Sequence, residues 1–238
     1  MNNKNILSKL NIPMWRLVMM AVTAVLISAS WIVFPPENPG HSFQVIPLYV
    51  SLVVMILQSM ANRYGQLLGA LNSILYAAVY FFVFRTYGQA AYALAVSFPF
   101  QLATFINWSR RAYGNSAVFK KMSKKTALCI TTLTVVFWVT CYFILSASGS
   151  DYIIFDNTIT ILGILCSVLS MLVYVEYVYI QIFTSVVGVF QYISMIFANG
   201  EISRMPHLIY GIYAAICVFL AWRKITALYA EQNKKAEE

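Results

Sequence analysis

The sequence predicts an all-α integral membrane protein with eight transmembrane helices. Hydrophobic residues make up 61% of the 238 residues and charged residues only 10%, whereas a soluble domain is about half apolar and about a quarter charged. The sequence also contains eight apolar runs of the length that a helix needs to cross roughly 30 Å of hydrocarbon. These runs are continuous and do not alternate with polar residues, which favours helices over a β-barrel.

The eight predicted spans follow one another with short connections. They are 15–34, 43–61, 65–84, 89–108, 127–148, 158–178, 180–198 and 206–224. The first is long enough to cross the bilayer, so we expect a retained helix and not a cleaved leader. Two polar segments remain, a basic linker at 109–126 and a tail at 225–238. In the fourth span, Pro99 is expected to bend the helix.

The distribution of basic residues predicts the orientation. If the N-terminus is inside, 14 of the 16 Lys and Arg residues fall on the inner side, and only Arg85 and Arg204 fall outside. This bias is the usual topological signal of membrane proteins. The acidic residues in the outer segments are Glu37, Asp151, Asp156 and Glu201. We therefore predict a multi-pass cell-membrane protein with both termini cytoplasmic, and we interpret the net charge of +8 as a sorting signal, not as affinity for nucleic acid.

The two halves of the chain resemble each other. "YGQLLGALNSILYAAVYFF" aligns with "YIQIFTSVVGVFQYISMIF" about 115 residues later, which matches Gln66 with Gln181. Tyr76 matches Tyr192 if one residue is inserted. Because each half has four spans, the repeats have the same orientation. Parallel repeats are typical of transporters whose site lies near the membrane midplane, between the repeats.

Polar side chains recur at helical spacing on the third, fourth and seventh predicted spans. Residues three and four apart share one helix face, and an unpaired amide in hydrocarbon costs several kcal/mol. These stripes suit a planar, uncharged or delocalised heterocycle that carries hydroxyls. The alternative is that they only join neighbouring helices. The candidate substrate-binding residues are Gln66, Asn72, Tyr76, Gln101, Gln181, Ser185, Gln191 and Tyr192.

Other residues with chemical potential give weaker signals. Glu176 is the only acid expected at membrane depth, where it could relay protons or form an ion pair with Arg63. The four cysteines show no CxxC spacing, and His41 and His207 have no ligand partners in sequence. No phosphate-binding loop is present. We therefore expect no enzyme activity, no metal and no cofactor.

The run "NRYGQLLGALNSILYAAVYFFVFRTYGQAAYAL", the following "FINWSRR" and its echo "LAWRKI" resemble the PnuC family of vitamin and nucleoside transporters. The resemblance implies two parallel three-helix units, 43–108 and 158–224, joined by a linking helix at 127–148, with 15–34 as an additional N-terminal helix. It also implies that the protein carries nicotinamide riboside by facilitated diffusion, and that phosphorylation inside the cell traps the imported compound. Family members can assemble as oligomers.

The sequence departs from this family at positions that concern the substrate. Members that carry nicotinamide riboside tend to have Trp where this chain has Gln66 and Gln181, and Asn where it has Ser185. Relatives that carry deoxynucleosides, thiamine or riboflavin are the alternative. A membrane enzyme and a non-transporting membrane partner are further alternatives, the latter docking through the basic linker.

Overall fold

The computed structural model describes residues 12–36 and 38–237, and eight helices in these ranges are long and apolar enough to cross a membrane. This confirms the predicted all-α fold. We number the helices in chain order: α1 Met14–Val33, α2 Ile46–Ser59, α3 Tyr64–Phe84, α4 Tyr87–Arg110, α5 Lys124–Ala147, α6 Ile153–Met171, α7 Tyr177–Ala198 and α8 Met205–Glu237. A 3-10 helix, Pro39–Val45, leads into α2.

Two predicted boundaries were wrong. The sixth span was placed at 158–178, but α6 runs from Ile153 to Met171. The apolar residues after Met171 form a turn, in which Val173 has a φ of 58°. The backbone of Val173 and Val175 forms hydrogen bonds with the backbone of Lys120. The predicted tail at 225–238 is also not separate, since α8 continues to Glu237.

The helices pack as two groups of three. Helix α3 contacts α2 and α4, and α7 contacts α6 and α8. The two groups meet where α2 packs against α8 and where α4 packs against α6. Helix α1 packs on α2 and α8, while α5 packs on α6 and is otherwise exposed. Because α5 is apolar on its exposed faces, lipid is its natural surrounding.

The repeat seen in the sequence recurs in the backbone. Ala61, after α2, and Val173, after α6, both adopt positive φ angles of 54° and 58°, a conformation that costs a non-glycine residue about 1–2 kcal/mol. Helices α3 and α7 both end in a π-helical turn, Tyr80–Phe84 and Ser194–Ala198. Shared irregularities at equivalent positions support a duplicated unit more strongly than matching apolar composition does.

Helix α4 is irregular in its middle. Six residues, Tyr92–Ser97, have π-helical hydrogen bonding and end two positions before Pro99. Proline has no N–H to donate and its ring excludes the carbonyl one turn earlier, so a regular helix is disrupted at this point. The wider turn brings Tyr92, Ala93 and Ser97 onto the face that contacts α3.

The N-terminus of α4 is capped from the other group of helices. The Asp156 carboxylate accepts hydrogen bonds from the Gly88 N–H at 3.0 Å and from the Gln89 N–H at 2.8 Å, and Ser150 Oγ donates to it as well. Asp156 is fully buried in the first turn of α6, so its predicted place in an outer loop was wrong. Three donors offset the cost of burying this charge.

We expect Asp156→Asn to destabilise the protein by about 1–3 kcal/mol, because one carboxylate oxygen becomes an N–H group that faces a donor. Thermal unfolding in detergent measures the change. Asp151→Asn is the matched control: its carboxylate is half-exposed and lies 3.9 Å from Arg85 Nε, so it should change unfolding little. Equal unfolding temperatures for the two variants would contradict the capping role.

Candidate functional site

A polar cavity of about 170 Å³ lies between α2, α3 and α4. Hydroxyl, amide and tyrosine side chains form most of its wall, and no described residue on the lining is charged. The lining residues are Ser51, Val54, Gln58, Gly69, Asn72, Ser73, Tyr76, Tyr80, Tyr92, Ala93, Ser97 and Gln101. We call this space the central cavity. It contains three of the eight candidate residues, Asn72, Tyr76 and Gln101.

Asn72 connects α3 to α2 at one end of the cavity. Its Nδ2 donates to the Pro47 carbonyl at 3.1 Å and to Ser51 Oγ at 2.7 Å. Ser51 Oγ in turn donates to the Tyr76 hydroxyl at 3.2 Å. Asn72 Oδ1 is buried and has no hydrogen-bond partner in the described protein. The donors of this amide are therefore satisfied while its acceptor remains available.

Gln101, at the other end of the central cavity, also has satisfied donors and an unpaired acceptor. Its Nε2 donates to Ser97 Oγ at 2.6 Å and to Ser73 Oγ at 3.2 Å, and those two hydroxyls are 2.8 Å apart. Gln101 Oε1 is buried, and none of the described residues donates to it. These contacts hold the Gln101 amide against Ser73 and Ser97.

Gly69 makes the position of Gln101 sterically feasible. A Cβ atom built on Gly69 would lie 2.1 Å from Gln101 Oε1 and 3.3 Å from Gln58 Nε2. Real Cβ atoms do not approach that closely, so any larger residue would force the amide to move. The glycine is required here for space and not for an unusual backbone conformation.

The chemistry of the cavity is that of an acceptor site with aromatic walls. Leaving a buried carbonyl oxygen unpaired costs about 1–3 kcal/mol, and a ligand hydroxyl or N–H recovers that cost. Tyr76 and Tyr80 stack with ring centroids 5.5 Å apart, which offers a flat surface to a heterocycle. The lining suits a small ligand that carries hydrogen-bond donors.

The candidates on α7 do not line this cavity. Gln181 and Ser185 are half-buried, and Ser185 Oγ donates to the Gln181 carbonyl at 2.9 Å. A Cβ built on Gly188 would meet no atom within 4 Å, so this face of α7 borders open space. On α3, Gln66 is buried but is not part of the cavity lining.

Gln191 and Tyr192 belong to a second buried cluster at the Arg204 end of the bundle. Gln191 Oε1 accepts a hydrogen bond from Gln89 Nε2 at 3.3 Å. The ring of Tyr192 packs on Phe84 and on His207, with centroid distances of 6.2 Å and 5.7 Å. This cluster joins α3, α4, α7 and α8. It borders the central cavity at Tyr80, a lining residue whose ring centroid lies 6.0 Å from that of Phe84.

Arg204 ties this end of the bundle together. It donates to Gln44 Oε1 at 2.8 Å, to the Val83 carbonyl at 3.1 Å and to Glu201 Oε2 at 2.9 Å. The Tyr152 hydroxyl also donates to Glu201. Burial, together with that hydrogen bond, raises the pKa of the Tyr152 phenol to about 12, so it remains a donor at physiological pH.

Glu176 lies outside the eight long apolar helices of the described residues. It lies in the turn between α6 and α7, where Oε1 accepts a hydrogen bond from the Met122 N–H at 2.9 Å. The expected partner, Arg63, instead lies over the ring of Tyr64 at 5.5 Å. Glu176 thus holds the basic linker against the α6–α7 turn.

Three polar lining residues, Ser51, Gln58 and Tyr92, lie outside the polar stripes that the sequence predicted. Ser51 and Gln58 are seven positions apart and therefore share one face of α2, a signal that the apolar residues around them obscure. Tyr92 reaches the cavity through the π-helical segment of α4. No regular helical period predicts that placement.

Eight membrane-spanning helices, a duplicated three-helix unit and a neutral polar cavity within the bundle define a membrane transporter. The chain belongs to the nicotinamide mononucleotide transporter family, whose model matches residues 41–224. Its fold is similar to the crystal structure of the vitamin B3 transporter PnuC, with a TM-score of 0.75, 20% sequence identity and 92% of each chain covered. Comparison with curated protein sequences gives no match. The family resemblance seen in the sequence is confirmed.

Proposed function

We propose that this transporter takes up nicotinamide riboside, or a closely related nucleoside-like vitamin, by facilitated diffusion. One observation carries the proposal: Asn72 Oδ1 and Gln101 Oε1 are buried, unpaired acceptors in one cavity of the described protein. Ribose hydroxyls and a carboxamide N–H are matching donors. The cavity tyrosines suit a positively charged pyridinium ring, since a cation over an aromatic face gains about 0.5–2 kcal/mol.

The neutral lining favours the nucleoside over its phosphate ester. Proteins bind phosphate with Arg, Lys or clustered backbone N–H groups. The described lining has hydroxyls, amides and phenols only, so a phosphate dianion would enter without a counter-charge. We therefore expect nicotinamide mononucleotide to compete poorly at this site, although the family model is named after it.

The size of the cavity indicates that the helices move during transport. Sites for drug-sized ligands are about 300–1,000 Å³, whereas the central cavity is about 170 Å³. A nucleoside therefore requires one wall to move. Helix α4 suits that movement because its π-helical segment lies on the wall and ends two positions before Pro99, and π-helical turns are frequent at functional sites.

The direction of net transport follows from the substrate gradient in this proposal. No described lining residue is a carboxylate, so the lining offers no acidic group for proton coupling. A cytoplasmic kinase that phosphorylates the substrate would keep the gradient inward. With both termini cytoplasmic and the protein in the cell membrane, the Arg204 cluster faces outwards.

Purified protein in liposomes tests these proposals. Labelled nicotinamide riboside should enter the liposomes without ATP or an ion gradient. Its net uptake should stop when the luminal concentration equals the external concentration. With ATP and a riboside kinase in the lumen, accumulation should continue past that level. Unlabelled deoxynucleosides, thiamine, riboflavin and nicotinamide mononucleotide serve as competitors. If one of these competitors inhibits uptake more strongly than unlabelled riboside does, that compound is the better candidate for the substrate. Accumulation above the external concentration without the kinase would contradict facilitated diffusion.

A further inference from the structure

A second polar pocket, of about 430 Å³, lies at the opposite end of the bundle from Arg204. The start of α1, the α2–α3 turn, a short hairpin in the basic linker and α8 form its walls. We call it the basic pocket. Its polar lining residues are Arg16, Asn62, Tyr113, Asn115, Ser116 and Lys224.

The walls of the basic pocket are fixed by backbone hydrogen bonds. The hairpin pairs Ala112–Tyr113 with Ser116–Ala117. Its tip is attached to the α2–α3 turn, because the Arg63 N–H donates to the Asn115 carbonyl at 3.0 Å. Its far strand is attached to α8, because Gln232 Nε2 donates to the Ala117 carbonyl at 2.9 Å. The pocket is thus a built feature and not a gap between loose segments.

The charge in the basic pocket is positive and unpaired. Among the described residues, neither Arg16 nor Lys224 has a carboxylate within 4 Å. Arg16 uses Nη1 to donate to Ser59 Oγ at 2.8 Å, while its buried Nε has no partner. Lys235 lies close by, held by Glu231 and by the Tyr113 hydroxyl. Glu231 forms its ion pair with Lys235, which leaves Arg16 and Lys224 without a direct ion pair among the described residues.

A third polar group in the pocket also lacks a partner. Ser116 is 5% exposed, and its buried Oγ has no hydrogen-bond partner within the described protein. Buried hydroxyls are normally hydrogen-bonded. Two cations and a hydroxyl are the groups that bind a phosphate, and the lining also includes the apolar side chains Met60 and Leu228.

We propose that the basic pocket binds a phosphate-bearing anion. The volume lies within the range of small-molecule sites, about 300–1,000 Å³, so it accommodates more than an inorganic ion. The phosphate can come from a soluble phosphate monoester or from an anionic lipid headgroup. Because the pocket joins α1, the α2–α3 turn and α8, a bound anion would bridge the two groups of helices. The proposal does not depend on the transported substrate.

Two binding measurements distinguish the sources. In phosphatidylcholine nanodiscs, calorimetry measures binding of adenosine monophosphate in the presence of excess adenosine, which occupies any nucleoside site. A soluble source predicts monophosphate binding that adenosine does not displace. In mixed-lipid extracts, quantification of co-purified lipid compares phosphatidylglycerol with phosphatidylcholine; a lipid source predicts retained phosphatidylglycerol. The affinity for the monophosphate, or the amount of retained phosphatidylglycerol, should fall at least tenfold in Arg16→Gln/Lys224→Gln. It should persist in Lys124→Gln/Lys125→Gln, which removes the same charge from the start of α5.

Variants that keep both cationic side chains distinguish a loss of anion binding from misfolding. Asn115→Asp adds a carboxylate at the exposed hairpin tip and should weaken anion binding at least tenfold, while Arg16→Lys/Lys224→Arg should retain binding. The proposal is overturned if the unaltered protein binds neither the monophosphate nor phosphatidylglycerol. It is equally overturned if both charge-removing pairs reduce binding alike.

Discussion

Gly69→Ala is expected to reduce saturable substrate uptake at least about tenfold, which corresponds to about 1.4 kcal/mol of lost binding or transition free energy. The added Cβ would lie 2.1 Å from Gln101 Oε1, so the amide must leave its position. Its hydrogen bonds to Ser73 and Ser97 then break, and the side chain moves into a cavity of about 170 Å³. Both the acceptor and the space for the ligand are lost.

Gly188→Ala is the matched control. It adds the same methyl group at a glycine on α7, where no atom lies within 4 Å of the new Cβ. Uptake in liposomes and ligand-induced stabilisation in detergent should therefore remain close to those of the unaltered protein. If Gly69→Ala transports normally, the central cavity between α2, α3 and α4 is not the substrate site. Equal loss in both variants would indicate a general sensitivity to helix substitutions.

Gln101→Met is expected to weaken ligand binding about tenfold to a hundredfold with little loss of stability in the absence of ligand. Met has a similar length but no amide group, so the acceptor Oε1 disappears together with the two hydrogen bonds that Nε2 donates to Ser73 and Ser97. These two hydroxyls keep their existing hydrogen bond to each other at 2.8 Å. Removing a buried oxygen that lacks a partner recovers part of its desolvation cost. The ligand, in contrast, loses the hydrogen bond that this oxygen would accept.

Two measurements separate these effects. Thermal unfolding without ligand reports stability, and the rise in unfolding temperature with added nicotinamide riboside reports affinity, since stabilisation grows with ligand concentration relative to the dissociation constant. We expect the unfolding temperature without ligand to be nearly unchanged. The ligand-induced rise in unfolding temperature should require a higher concentration of nicotinamide riboside. A large drop in unliganded stability with unchanged affinity would show that Gln101 only joins α3 to α4.

The class of the protein could be predicted from the sequence because it depends on length and composition. Apolar runs of about 20 residues have few alternatives to a transmembrane helix, and all eight are helices in the structure. The stripe on α3 likewise identified Asn72 and Tyr76 as cavity residues, because one face of a helix is fixed by its period. The family resemblance extended this to the kind of transporter.

Boundaries and partners could not be predicted in the same way. Asp156 has the polarity of a loop residue, but its carboxylate becomes a cap only because α6 meets the start of α4 in space. Glu176 looked like an intramembrane acid because its neighbours are apolar, yet those neighbours form a turn that pairs with the basic linker. In both cases a contact distant in sequence decides the local structure.

The repeat suggested that Gln66 and Gln181 would share one cavity, and the structure puts neither on the central cavity lining. Sequence periodicity gives the face of each helix but not the rotation of that helix against its neighbours. The π-helical segment of α4 changes that rotation partway along the helix, whereas those of α3 and α7 lie at the helix ends. The sequence by itself thus determined the membrane fold, its duplication and its transporter class. Tertiary packing decided which polar groups meet, because that depends on inter-helix contacts that no single helix encodes.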